Sequence, residues 1–299
     1  RAAHDAGLTV YGESLEGMRV VLGDDMSMRS HADVPMAALW AYPVDGQPAP
    51  GGVADMRGAA SVAHVYGRPF VATESMTSRL KLWAYAPADL RHVIDMEFAH
   101  GINRPVIHST VHQPLDDAPG ISLSIFGQTF NRLETWAGMA RPWMDYIARG
   151  SFLLQQGRNV ADVAYFSGED APILALRGDE PRRYAYDFVN GDMLRGVLSV
   201  DDGAIVSAGG ARYRALFLGG SSRYLTLQTL RRIERLVEEG GVVIGAAPLA
   251  SPSLADAHTS ARSEYEALVD RLWSGSPVTA VGRGRVIVAG NPEAGMVAI

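Results

Sequence analysis

Cysteine is absent from the 299 residues, which excludes disulfides, thiolate nucleophiles and sulfur-ligated zinc together. That absence leaves the compartment open, because cysteine-free chains work on both sides of a membrane. Long apolar runs are missing as well. No stretch of about 20 apolar residues occurs, so no segment reads as a membrane span. Basic runs are also missing, and the formal net charge is -6 with both signs interspersed. Such a surface argues against electrostatic binding to nucleic acid or to an anionic membrane. Gly-x-Gly-x-x-Gly and Gly-Lys-Ser/Thr phosphate loops do not occur, so a nucleotide role has no positive signal. An initiator Met is lacking too: the chain begins at Arg1 within what reads as an element. The expectation is an excerpt of a longer protein, in which a missing signal peptide says nothing about secretion.

What is present reads as a globular α/β chain. Hydrophobic residues at 47% and charged residues at 20% set it apart from disordered sequences, and its length suits two domains. In the first half, short apolar runs alternate with helical stretches. Leu8–Tyr11 predicts a strand ending at Gly12-Glu13, and Met18–Leu22 a helix end or short strand. Residues 58–66 predict a helix, residues 68–73 a strand stopping at Glu74-Ser75, residues 87–99 a helix, and residues 105–108 a strand. The spacing also predicts a loop over 112–129 and a helix over 136–156. In the second half, strands are predicted over 160–166, 204–206, 213–218 and 241–245, with an amphipathic helix from Thr226 to Glu239 between the last two. Strand–helix–strand alternation implies a parallel sheet, open or closed. The boundary is placed near Gly157, giving domains 1–157 and 158–299.

Parallel α/β folds place their chemistry at the C-terminal ends of strands. Glu74 stands at such an end and is the first catalytic candidate, since glycoside hydrolysis needs carboxylates; the alternative is a turn that starts the next helix. Glu13 has the same placement, with an exposed turn residue as its alternative. Asp24, Asp25 and Asp33 are hard oxygen ligands of the type calcium takes, although Asp clusters more often form turns. His100, Asn103, His108, His112 and Gln113 form a polar run around one strand. Residues four apart on a strand are about 13 Å apart, too far for one ion unless the chain bends. Hydrogen bonding to a polyhydroxylated ligand is therefore the functional reading, and a satisfied core histidine the structural one. Trp40, Tyr42, Trp83, Trp136 and Trp143 are stacking candidates for a sugar ring, or core residues.

Several segments together resemble the glycoside hydrolase family 106 α-L-rhamnosidases: residues 61–67 (SVAHVYG), 71–77 (VATESMT), 98–104 (FAHGINR), 112–114 (HQP) with Pro119-Gly120, and 160–170 (VADVAYFSGED). Residues 33–36 (DVPM) and 186–190 (YDFVN) fit the same pattern, so the likeness runs over almost the whole chain. The resemblance implies the C-terminal part of a (β/α)8 catalytic barrel, followed by an amidotransferase-like (flavodoxin-like) α/β domain similar to that of family 42 β-galactosidases. Amidotransferase chemistry is excluded by the missing cysteine, which leaves a structural or subunit-contact role. The resemblance further implies an inverting hydrolase that releases terminal α-L-rhamnose from plant or algal polysaccharides or glycosides, dependent on calcium and secreted or periplasmic. Glu74 then maps to a catalytic carboxylate, with the base role favoured, and its partner lies upstream of Arg1. Glu13, His100, Asn103, His108, His112 and Trp136 are the substrate-binding expectations. A retaining β-galactosidase-like hydrolase, or a non-catalytic carbohydrate-binding homologue, is the competing reading.

Overall fold

The structure, a computed structural model, describes residues 1–14, 23–169, 173–275 and 277–299. The expected element at Met18–Leu22 lies outside the described residues. Contacts divide the chain into two units, residues 1–63 with 69–157, and residues 64–68 with 158–299.

The first unit runs α1 (Ala2–Asp5), β1 (Tyr11–Glu13), α2 (Asp25–Ser30), β2 (Val34–Trp40), α3 (Pro50–Tyr66), β3 (Ala72–Thr77), α4 (Pro87–Ala99), β4 (Arg104–Ile107) and α5 (Arg141–Leu154). Its four strands pair in sequential order, β1-β2-β3-β4, all parallel. Consecutive parallel strands require crossovers, which α3 and α4 supply. Pro87 opens α4 at a position where its missing N–H costs nothing, and the Asp89 carboxylate accepts the Ala86 N–H at 2.9 Å. Leu90, Val93 and Ile94 of α4 are fully buried. They join Ala37, Leu39, Met56, Ala59, Ala63 and Met76 in the main core.

Two differences from the sequence reading have clear causes. Strand β2 was not expected, because a Pro35 and two alanines gave no period-two signal. It is a central parallel strand, buried through Leu39, and such strands need no alternation. Strand β3 runs on through Glu74 to Thr77 instead of stopping there. Beneath the sheet, the fully buried Arg29 binds Met36 O through Nε at 3.2 Å and Asp25 through Nη1 at 2.8 Å. Its Nη2 binds Asp55, whose other oxygen accepts the Ala38 N–H at 2.8 Å. Burial raises Asp55 to about 6 against the pull of Arg29. Any Cβ at position 58 would meet Arg29 Nη1 at 2.9 Å, which explains the glycine there.

The second unit continues with β5 (Val163–Phe166), β6 (Tyr186–Val189), α6 (Gly191–Gly196), β7 (Leu198–Asp201), β8 (Ala204–Ser207), β9 (Arg212–Tyr213), β10 (Ala215–Leu218), α7 (Leu227–Glu238), β11 (Val242–Ile244), α8 (Thr259–Leu272), β12 (Val278–Val281), β13 (Gly284–Ile287) and α9 (Pro292–Val297). Its main sheet has the order β12-β13-β11-β10-β5-β6, parallel except for β12. Helix α7 crosses from β10 to its neighbour β11 and buries Leu227, Leu230, Ile233, Leu236 and Val237, as an amphipathic helix does. The expected strand over 204–206 belongs elsewhere: β7, β8 and β9 form a separate antiparallel meander. Asp202 and Gly203, both at positive φ, make its tight turn, as an Asp-Gly pair does in a two-residue hairpin. The strand expected over 213–218 is split by Arg214 between this meander and the main sheet.

Candidate active site

Neighbouring residues across a parallel ladder point to the same side, and residues two apart along a strand do likewise. In the first unit one row is Glu13, Met36, Ala72 and Arg104, and the row two residues further on is Ala38, Glu74 and Val106. These side chains share one face of the sheet. Ala37 and Leu39 alternate with them and belong to the core with the residues of α3 and α4. Glu74 therefore faces away from the helices, near the C-terminal end of an inner strand, with its side chain 23% exposed.

A bulge then changes the alternation. Leu39 pairs with Ser75 and Trp40 with Thr77, leaving Met76 as the extra residue, at φ 65°. An unbulged strand would turn Thr77 to the face opposite Glu74, and one inserted residue brings it back. Thr77 Oγ1 accordingly donates to Glu74 Oε1. His108, immediately after β4, has Nδ1 3.2 Å from Thr77 Oγ1 and 3.9 Å from Glu74 Oε1. Because the Thr77 hydroxyl proton goes to the carboxylate, only an Nδ1–H tautomer satisfies the second contact. In the neutral ring that arrangement leaves His108 Nε2 as an acceptor.

Trp40 is level with Thr77 and, by the same alternation, on Glu74's face. It is 38% exposed and meets Phe126 edge-on at 5.8 Å between ring centroids. Ser78 Oγ donates to Gly127 O at 3.0 Å, and Gln128 N to His108 O at 2.8 Å, so the loop carrying Phe126 is tied to this rim. Phe126 and the role of Thr77 were not foreseen: the first lies in a long loop, and the second depends on a bulge that has no residue signature here.

The structure brings Glu13, Glu74 and His108 to one face and separates the other expected residues from them. Asn103 precedes β4, at the opposite end of the strand from His108. Its side chain is used by the backbone, accepting from Val71 N at 2.9 Å and donating to Pro69 O at 3.0 Å. His100 caps the C-terminus of α4 at that same far end. Burial, with Arg57 nearby, lowers it to about 4. These two residues therefore lie at the end of the sheet away from Glu74. His112 is exposed in the loop after β4. Trp136 is half-buried and packs edge-on to Phe130 at 5.2 Å, joining the main core. Trp143 and Tyr42 are core residues as well, and Trp83 is 44% exposed.

The three aspartates do not form one site. Asp24 accepts the Ser27 N–H at 2.8 Å and caps α2, Asp25 pairs with Arg29, and Asp33 accepts from Val10 N at 2.8 Å and meets His4 at 2.7 Å. Among the described residues, no three His, Asp or Glu side chains are placed to hold a metal ion. These donors do not fit a carboxylate-based calcium centre. In the second unit, Glu169 of the Gly168-Glu169 loop is occupied by helix α7: Thr226 N and Thr229 Oγ1 donate to it at 2.8 and 2.6 Å, and Arg195 at 2.7 Å.

The chain resembles the solved rhamnosidase from Novosphingobium sp. PP1Y, with a TM-score of 0.96 and 54% identity over 99% of this chain and 29% of that one. A curated protein of Formosa agariphila named "Putative beta-glucuronidase" is 39% identical over 254 residues, 84% of this chain and 21% of its own length. The chain thus spans roughly a fifth to a third of these relatives. The family model described as α-L-rhamnosidase, glycoside hydrolase family 106, matches residues 1–298, and the chain belongs to that family.

Proposed function

We propose that this chain supplies one of the two catalytic carboxylates, Glu74, of a glycoside hydrolase that removes terminal α-L-rhamnosyl residues by inversion. The observation that carries this reading is a partly exposed carboxylate on the face of a parallel sheet turned away from α3 and α4, held by Thr77 and flanked by His108 and Trp40. The remainder of the full-length protein supplies the second carboxylate. Glu74 acts as the base: it takes a proton from the water that attacks C1, while the second carboxyl protonates the leaving oxygen. Thr77 holds Oε1 and so fixes the carboxylate's orientation, leaving Oε2 for the water. His108 Nε2 accepts from a sugar hydroxyl, Glu13 lines the same face, and Trp40 offers an apolar surface to the pyranose.

The sequential β1-β2-β3-β4 order supports reading the first unit as half of a (β/α)8 barrel, whose remaining strands would close over the Glu74 face. The second unit, with its open parallel sheet, is read as the amidotransferase-like domain in a structural role. By family likeness the protein is secreted or periplasmic and acts on plant or algal rhamnosides. The name of the Formosa relative gives a second reading, a uronide-cleaving hydrolase using the same carboxylate.

The test uses the full-length protein, wild type and Glu74→Gln, on an aryl α-L-rhamnoside and an aryl β-glucuronide. Rhamnoside hydrolysis that falls at least about a hundredfold in the variant is expected, with NMR showing the inverted anomer first. Hydrolysis of only the glucuronide, or full activity in the variant, would sink the substrate reading or the Glu74 role respectively.

A further inference from the structure

The second unit carries a cleft of about 400 Å³ between the segment after β11 and helix α8. That volume is within the range of small-ligand sites. One wall is α8, where Arg262, Glu266 and Asp270 recur every four residues and so share a helix face. All three are exposed. The other wall includes Leu249, 62% exposed, and Asp256. The Asp256 carboxylate is fixed by Leu227 N at 2.8 Å and Ser251 Oγ at 2.6 Å.

Tyr265 also lines the cleft. It is 7% exposed, and its hydroxyl has no hydrogen-bond partner among the described residues. Buried tyrosine hydroxyls ordinarily have one, and none of the described residues supplies it. Asp256 and Glu169 raise its pKa further beyond what burial does, to about 12, which keeps it a neutral donor.

The chemistry of the lining selects the ligand. Three carboxylates against one guanidinium disfavour phosphates, nucleotides and uronates. A chelated cation is disfavoured because no three acidic or His side chains converge among the described residues. Alternating acceptors and donors beside an apolar Leu249 suit a neutral polyhydroxylated ring with one apolar face. We infer that this cleft is a non-catalytic binding site for a neutral saccharide unit, formed by Asp256, Arg262, Tyr265, Glu266 and Asp270 in the second unit. The choice of a rhamnose-containing ligand rests on the function proposed above; the existence of the site does not.

Full-length protein carrying Glu74→Gln is titrated calorimetrically with a neutral rhamno-oligosaccharide, and the titration is repeated with Arg262→Ala and Asp270→Ala added. Both added positions are exposed, so the fold is retained. The cleft variant is expected to lose one binding event or weaken it at least tenfold, and Tyr265→Phe to weaken it at least threefold. In the active protein, the same two changes leave aryl rhamnoside hydrolysis within twofold and raise KM on a rhamnan polymer at least threefold at constant kcat. Superimposable titrations, or tighter binding of a uronate-bearing oligosaccharide, overturn the site. A wild type inactive on rhamnosides overturns the functional reading instead, and the titration still decides the cleft.

Discussion

Glu74 and Glu169 both stand near the C-terminal end of a buried parallel strand, one in each unit, and their surroundings differ completely. Glu74 accepts from one threonine hydroxyl and keeps 23% of its side chain in solvent. Glu169 accepts from a backbone N–H, two threonine hydroxyls and an arginine, and is 11% exposed. Through these bonds Glu169 takes up the donors at the start of α7, a place where a ligand anion would otherwise be favoured. A carboxylate used in this way stabilises a fold. One with an open oxygen on the face turned away from α3 and α4 can do chemistry. Strand-end position is therefore necessary for the catalytic reading and far from sufficient.

The comparison is most directly broken by exchanging the losses. Glu74→Gln should cost at least about a hundredfold in kcat with the unfolding midpoint unchanged. Glu169→Ala should do the reverse: about 2–3 kcal/mol of stability lost, because a cap is removed and Arg195 loses a charge-assisted partner, with kcat per folded molecule retained. Denaturant unfolding beside single-substrate kinetics reads both, and a Glu169→Ala protein as stable as wild type would erase the distinction. A smaller effect sharpens it. Thr77→Val keeps shape and buried volume but removes the donor to Glu74, so roughly a tenfold drop in kcat is expected, with Ser restoring it. Equal activity of the valine and threonine proteins would mean that the bulge does not orient the carboxylate.

The smallest effect concerns Glu97, fully buried behind the same strand. Burial holds its carboxyl well above the usual range, so the folded chain keeps a proton that the unfolded chain releases above its ordinary 4.5. The associated stability is present below that pH and declines as pH rises toward the folded value. Glu97→Gln should flatten this decline, seen as a weaker pH dependence of the unfolding midpoint above 4.5. His100, lowered to about 4, acts with the opposite sign: its contribution is present above 6.5 and is lost as pH falls toward 4.

Much of the local structure was legible because it depends on neighbours in sequence. The α4 helix was read with its observed bounds from a proline start and a 3.6-residue stripe, and α7 was off by one residue at each end. The amphipathic character read for α7 is observed as its buried stripe, since a helix face is fixed by period alone. Strand β2 escaped because burial on both sides removes the alternation that marks a strand. The meander escaped because Asp202-Gly203 makes its turn inside what reads as a loop.

The site divides along the same line. Residue type and strand-end position singled out Glu74, Glu13 and His108 in the sequence, whereas His100 and Asn103 looked equivalent to His108 until β4 put them at opposite ends. The sequence by itself determined the α/β class, the helix faces, the absence of thiol chemistry and a short set of candidate carboxylates, because these follow from composition and local period. Only the tertiary structure decided which carboxylate is open and which is consumed. That choice depends on sheet register, on the Met76 bulge that turns Thr77 toward Glu74, and on helix ends brought within 3 Å from distant parts of the chain.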